Sequence, residues 1–95
     1  MNMEILIDWQ HIKSPEEFYG IFLPQVKAPD WHGHNLAALN DSIVTGDINE
    51  IEPPYLIKSI NSAKAPYEMR SFQTSFFSIL ADAEKEERQI NVLIL

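Results

Sequence analysis

Residues 29–43 read Pro29-Asp30-Trp31-His32-Gly33-His34-Asn35-Leu36-Ala37-Ala38-Leu39-Asn40-Asp41-Ser42-Ile43. Three local signals lie in this one stretch. Residues 28–34 form a loop rich in aromatic rings and opened by a proline. Asn35 then stands where a short polar side chain can accept a hydrogen bond from the first turn of a helix. Leu36, Leu39 and Ile43 recur at helical spacing, which gives that helix one apolar face. Gly46 supplies a stop, because glycine enters the left-handed conformation that closes a helix without steric cost.

The flanks supply strands and further helices. Upstream, the near-continuous apolar run of residues 5–9 reads as a strand covered on both faces, with Trp9 at its end belonging to the core. Ser14-Pro15-Glu16-Glu17 combines an N-cap, a first-turn proline and a glutamate at the capping-box position. Phe18, Ile21, Phe22 and Val26 follow at helical spacing, and Pro24 is expected to end or kink that helix near Leu23 with a ragged C-terminal end. Downstream, residues 47–54 form an acidic loop carrying Asp47, Glu50 and Glu52. Pro53-Pro54 cannot lie in a central strand, so the second strand begins at Tyr55 and runs to about Ile60. Residues 61–65 open a short helix that Pro66 interrupts. A longer helix is expected over 67–88, its stripe made of Phe72, Phe76, Leu80 and Ala83, and residues 90–95 read as a last strand. Strands alternating with helices point to a parallel sheet, because parallel neighbours need crossover connections. The expected architecture is therefore α/β: a small three-stranded parallel sheet covered by helices, in a single domain over residues 1–95.

Composition bounds the function. The 95 residues suffice for one core. With no cysteine, disulfides and thiolate metal sites are excluded. The opening residues carry no basic segment of a secretory signal, and no apolar run approaches the ~20 residues of a membrane span. A soluble cytoplasmic protein without membrane contact is expected. Fourteen acidic against seven basic residues leave a formal charge of −7. Such a balance repels nucleic-acid backbones and steers a basic partner inward, although it also serves plain solubility.

The stretch quoted above resembles the signature of the barstar family: an aromatic pair, Gly, a variable residue, then Asn-Leu-Asp-Ala-Leu-Trp-Asp, a small residue and an apolar one. Gly33, Asn35, Leu36, Ala38, Leu39 and Asp41 match it in register. The order of elements agrees over nearly the whole chain. The resemblance implies a ribonuclease inhibitor that forms a one-to-one complex with a basic nuclease, the second helix and its lead-in loop entering the nuclease active site. Asp41 corresponds to the central acid that takes the place of an RNA phosphate, and Trp31 to the aromatic that stacks on the nuclease. Thr45 and Gly46 fall near the contacts at the helix end, and Asp82 and Glu86 align with acidic contacts on the last helix. Ala37 and Asn40 stand where the family carries an acid and a tryptophan, so the target can differ. His32, His34 and Asn35 complete the expected contact surface.

The same residues admit other readings. Trp31 serves either an interface or a satellite of the core. Asn35 acts first as a cap, and Asp82 with Glu86 also fit a solvated helix end. His32-Gly33-His34, with Asp30 and Asp41 nearby, supplies only two imidazoles, short of a zinc site, and no nucleophile or phosphate-loop motif occurs. No cofactor, metal, small-molecule substrate or catalytic activity is expected. The remaining alternative is an acidic immunity protein or antitoxin for a different toxin, using the 47–54 loop in place of Asp41.

Overall fold

The computed structural model describes residues 3–95, and Met1 and Asn2 lie outside it. Three strands, β1 (Met3–Asp8), β2 (Tyr55–Ile60) and β3 (Ile90–Ile94), form one parallel sheet in the order β1-β2-β3. Ile5, Ile57 and Val92 are in register across it. Three α-helices intervene: α1 (Pro15–Gln25), α2 (Leu36–Asn40) and α3 (Arg70–Lys85). The expected α/β class with a three-stranded parallel sheet is the class observed.

Burial alternates along the sheet. Ile5 and Ile7 of β1 and Tyr55, Ile57 and Ser59 of β2 are buried, whereas Leu6 is 46 % exposed. The expectation that β1 is covered on both faces is therefore corrected: helices cover one face only. Trp9 does not end the strand either. It opens a 3-10 turn (Trp9–His11) begun by Asp8, whose carboxylate accepts the Gln10 N–H at 3.1 Å. Asn61 also donates to that carboxylate, which holds the Asp8 pKa below its ordinary value.

The core is aromatic. Trp9 and Phe22 stack on Phe18 at 5.7 and 5.5 Å, and Phe76 meets Phe18 edge-on at 4.9 Å. The polar edge of Trp9 is satisfied too, its Nε1–H donating to buried Ser59 at 2.7 Å. Buried Tyr19 and Tyr55 have their phenol pKa values pushed up to about 12, chiefly by removal from water.

Helix ends explain where the sequence and the structure part. Ser14 caps α1 by accepting the Glu17 N–H, but Glu17 returns its carboxylate to the N–H of Lys13, one residue before the usual partner. Pro24 does not end the helix at Leu23. In the last turn its missing N–H costs one bond, and α1 runs on to Gln25. The chain then closes through Lys27 in the left-handed conformation, with Lys27 N–H bonded to the Pro24 carbonyl and Ala28 N–H to that of Leu23. The end of α3 repeats this closure with Glu87 (φ 57°), Glu87 N–H reaching Glu84 and Arg88 N–H reaching Ala83. Residues 67–69 form a separate 3-10 turn, so α3 is shorter than the expected 67–88.

Two outcomes test this description. Glu87→Gly relieves a left-handed Cβ strain of about 1 kcal/mol, of which glycine's unfolded-state entropy takes back part. A net gain of about 0.5 kcal/mol is expected in urea unfolding, and a loss would contradict the closure described. Because folding raises the Tyr19 and Tyr55 pKa values, the unfolded chain gives up protons first. Stability should then be intact below pH 10 and fall as pH rises through 10 to 12, with Tyr19→Phe softening the fall.

Candidate functional site

The loop of residues 28–34 is fixed by its two histidines. The His32 ring is buried, at 5 % exposure. Its Nδ1 lies 2.7 Å from the Gly33 carbonyl, which can only accept, so that nitrogen carries a proton. Its Nε2 then accepts the Ser42 hydroxyl proton at 2.9 Å, and the Leu39 carbonyl lies 3.2 Å from the same Ser42 oxygen. The loop is thus bonded to the helix it leads into. His34 stacks on Tyr19 at 5.4 Å and places Nδ1 2.9 Å from the Glu16 carboxylate, which ties the loop to α1. Trp31, between two anchored flanks, stands 74 % exposed.

Asn35 caps α2 as expected, its Oδ1 accepting the Ala38 N–H at 2.8 Å. Gly33 admits this cap closely, since a Cβ there would come within 2.9 Å of Asn35 Nδ2. The helix then widens into a π-helical turn (Asp41–Thr45), in which Gly46 N–H bonds the Asp41 carbonyl at 2.9 Å. Asp41 sits at the junction, exposed, with Leu39 and Ile43 buried on either side of it in sequence. Ala37 and Thr45 are exposed, Asn40 is half-buried and Gly46 is buried. Asp82, in the last turn of α3, and Glu86, the residue that caps its C-terminal end, are both exposed.

One cation joins these pieces. Arg88, just beyond α3, donates from Nε to the Ile43 carbonyl at 3.0 Å and from Nη2 to Glu52 Oε1 at 2.9 Å. The same Glu52 oxygen accepts the Asp47 N–H at 3.0 Å. Gly46 lies against the guanidinium at φ 88°, where a Cβ would meet Nη2 at 2.5 Å. Arg88 therefore holds the π-turn, the acidic loop and the end of α3 in one arrangement. The acidic loop is further fixed by Glu50 and Ile51 N–H groups bonded to the Lys27 and Val26 carbonyls. Within the loop, Glu52 is engaged inward, while Asp47 and Glu50 are exposed.

Local spacing could not reveal this clamp, because Arg88 and Ile43 are 45 positions apart. The π-turn was equally hidden, although Gly46 marked its end. Among the described residues, no group of three or more His, Asp or Glu side chains is placed to hold a metal ion. No helix among them is long and apolar enough to cross a membrane.

Residues 2–95 match the family model Barstar, described as barstar (barnase inhibitor). No curated protein matches the chain.

Gly46→Ala should cost about 2 kcal/mol, through its positive φ and through displacement of a guanidinium that two partners hold. In an Arg88→Ala background the further cost of Gly46→Ala should fall to about 1 kcal/mol, the backbone part alone. Fully additive losses in a denaturation cycle would show that the two residues do not share this contact.

Proposed function

The chain belongs to the barstar family, whose members are barnase inhibitors, and we propose that it inhibits a basic ribonuclease by filling the nuclease's phosphate site with its own carboxylates. The observation that carries this reading is the exposed Asp41 at the point where α2 opens into the π-turn. Exposed Trp31 accompanies it on a loop anchored at both flanks.

A ribonuclease holds phosphate with arginine, lysine and histidine donors. A carboxylate presented at that position accepts the same charge-assisted hydrogen bonds. Asp41 is the central acid in this proposal. Small Ala37, one turn earlier, leaves the surface beside it open to close approach. Trp31 stacks on the nuclease, His34 and Asn35 line the rim, and Asn40 and Thr45 offer neutral polar contacts. Asp82 in the last turn of α3 and Glu86 at its C-terminal cap engage further cations. Buried His32 and Gly46 act by position: the first holds the loop to Ser42, and the second lets Arg88 lie flat under the π-turn. The whole chain works as one domain in a one-to-one complex in the cytoplasm, with no catalytic step of its own.

The alternative, a toxin-neutralising protein that binds through the 47–54 loop, has less support. Glu52, one of that loop's three acids, is engaged with Arg88 and the Asp47 backbone.

The test is inhibition of a barnase-type ribonuclease in an RNA-cleavage assay. Asp41→Ala should weaken inhibition by about 2–3 kcal/mol, the worth of hydrogen bonds to a charged group. Glu50→Ala should cost less than about 1 kcal/mol, and neither variant should unfold the protein. The wild-type association rate should drop steeply with added salt as the steering charges are screened. Equal losses for the two variants would move the contact surface to the acidic loop.

A further inference from the structure

We infer that the outer edge of β3 is a docking site for an extended peptide segment, apolar at one end and basic at the other, which adds to the sheet as a fourth strand. A sheet ordered β1-β2-β3 has two open edges, and this protein treats them differently. At β1, the Gln25 side chain accepts the Leu6 N–H at 2.9 Å and donates to the Leu6 carbonyl at 2.8 Å. Its amide reproduces the donor and acceptor of a neighbouring strand and covers the middle of that edge.

Nothing among the described residues does the same for β3. Leu95 N–H turns toward β2 and donates to the Ser59 carbonyl at 2.7 Å. The two-residue period of a strand then directs the N–H and C=O groups of Val92 and Ile94 outward. The strand has neither proline nor lysine, and its pairing register runs on without a bulge, so the usual protections of an edge are missing. Every residue of β3 after Ile90 is exposed.

The surroundings indicate the occupant. A groove of about 360 Å³ runs beside the strand, lined by Phe77 and Leu80 of α3 and by Ile90, Val92 and Ile94. Toward the start of β3, Glu84 and Glu87 border its continuation, and no lysine or arginine lines either part. A second copy would bring its own surplus of negative charge to these glutamates. An extended segment whose apolar side chains give way to lysine or arginine complements both parts. Main-chain bonds then supply affinity, and alternate side chains supply selectivity. Phe77, Ala81 and Glu84 lie on the side of α3 away from Asp82 and Glu86, so the segment and a nuclease can be bound together.

The experiment titrates the ¹⁵N-labelled full chain with a capped octapeptide of alternating threonine and valine ending in two lysines. Shifts and slowed hydrogen exchange are expected at the Val92 and Ile94 amides. A peptide ending in two glutamates should bind at least about tenfold more weakly, and the Glu84→Gln/Glu87→Gln double variant should lose about fivefold toward the lysine peptide. N-methylation of the peptide on its β3-facing residues should abolish binding without altering the protein, and saturating peptide should leave ribonuclease inhibition unchanged. Unmoved Val92 and Ile94 amides, or equal affinity for the two peptides, would overturn the inference. Exchange protection that rises with protein concentration alone would assign the edge to a second copy instead.

Discussion

Parallel pairing in simple sequential order constrains everything else in this molecule. Each of the two connections must carry the chain back along the length of the sheet, and crossovers of one hand that progress in one direction lie on one face. All three helices therefore pack on the side of Ile5, Ile57 and Val92, and the aromatic cluster around Phe18 fills the space beneath them. The other face carries Leu6, Lys58 and Leu93 in register, with Leu6 and Leu93 exposed. Most of the acidic surface and the loops that display it belong to the connections, whose irregular segments are held by a few specific bonds to histidine, asparagine and arginine.

Arg88 shows how few such bonds are needed. In a chain with seven basic residues, this one is turned inward to join a helix carbonyl and a glutamate. Its side chain is 22 % exposed and that of Glu52 is 32 %, so the pair is shielded enough to matter but not so deeply buried that desolvation dominates. Turning one cation inside leaves the surrounding surface more uniformly negative, which agrees with the basic partner proposed above.

Local chemistry made much of this legible beforehand. Asn35, Ser14 and Gly46 act where short-range rules put them, and β2 begins at Tyr55 because two prolines precede it. The departures arise where distant groups overrule local preference. Lys27 and Glu87 occupy positions that normally call for glycine, because the closing hydrogen bonds of α1 and α3 hold them there. Residues 5–9 looked buried on both faces because apolar composition alone cannot show that one face lacks a cover. The exposed members of the proposed site, Trp31, Asp41, Asp82 and Glu86, are recognisable from the family pattern alone. The inward turn of His32 was not, since only the folded chain brings Ser42 to its ring.

The chain's two tryptophans occupy opposite extremes of environment. Trp9 has no exposed surface, and its indole nitrogen is engaged with Ser59, whereas Trp31 projects from its loop with most of its surface in solvent. The molecule thus carries two indoles in contrasting surroundings: the buried one is expected to emit further to the blue and to resist aqueous quenchers, the exposed one to emit further to the red and to be open to them. Light from the first reports the integrity of the aromatic interior, and light from the second reports whatever settles on the loop.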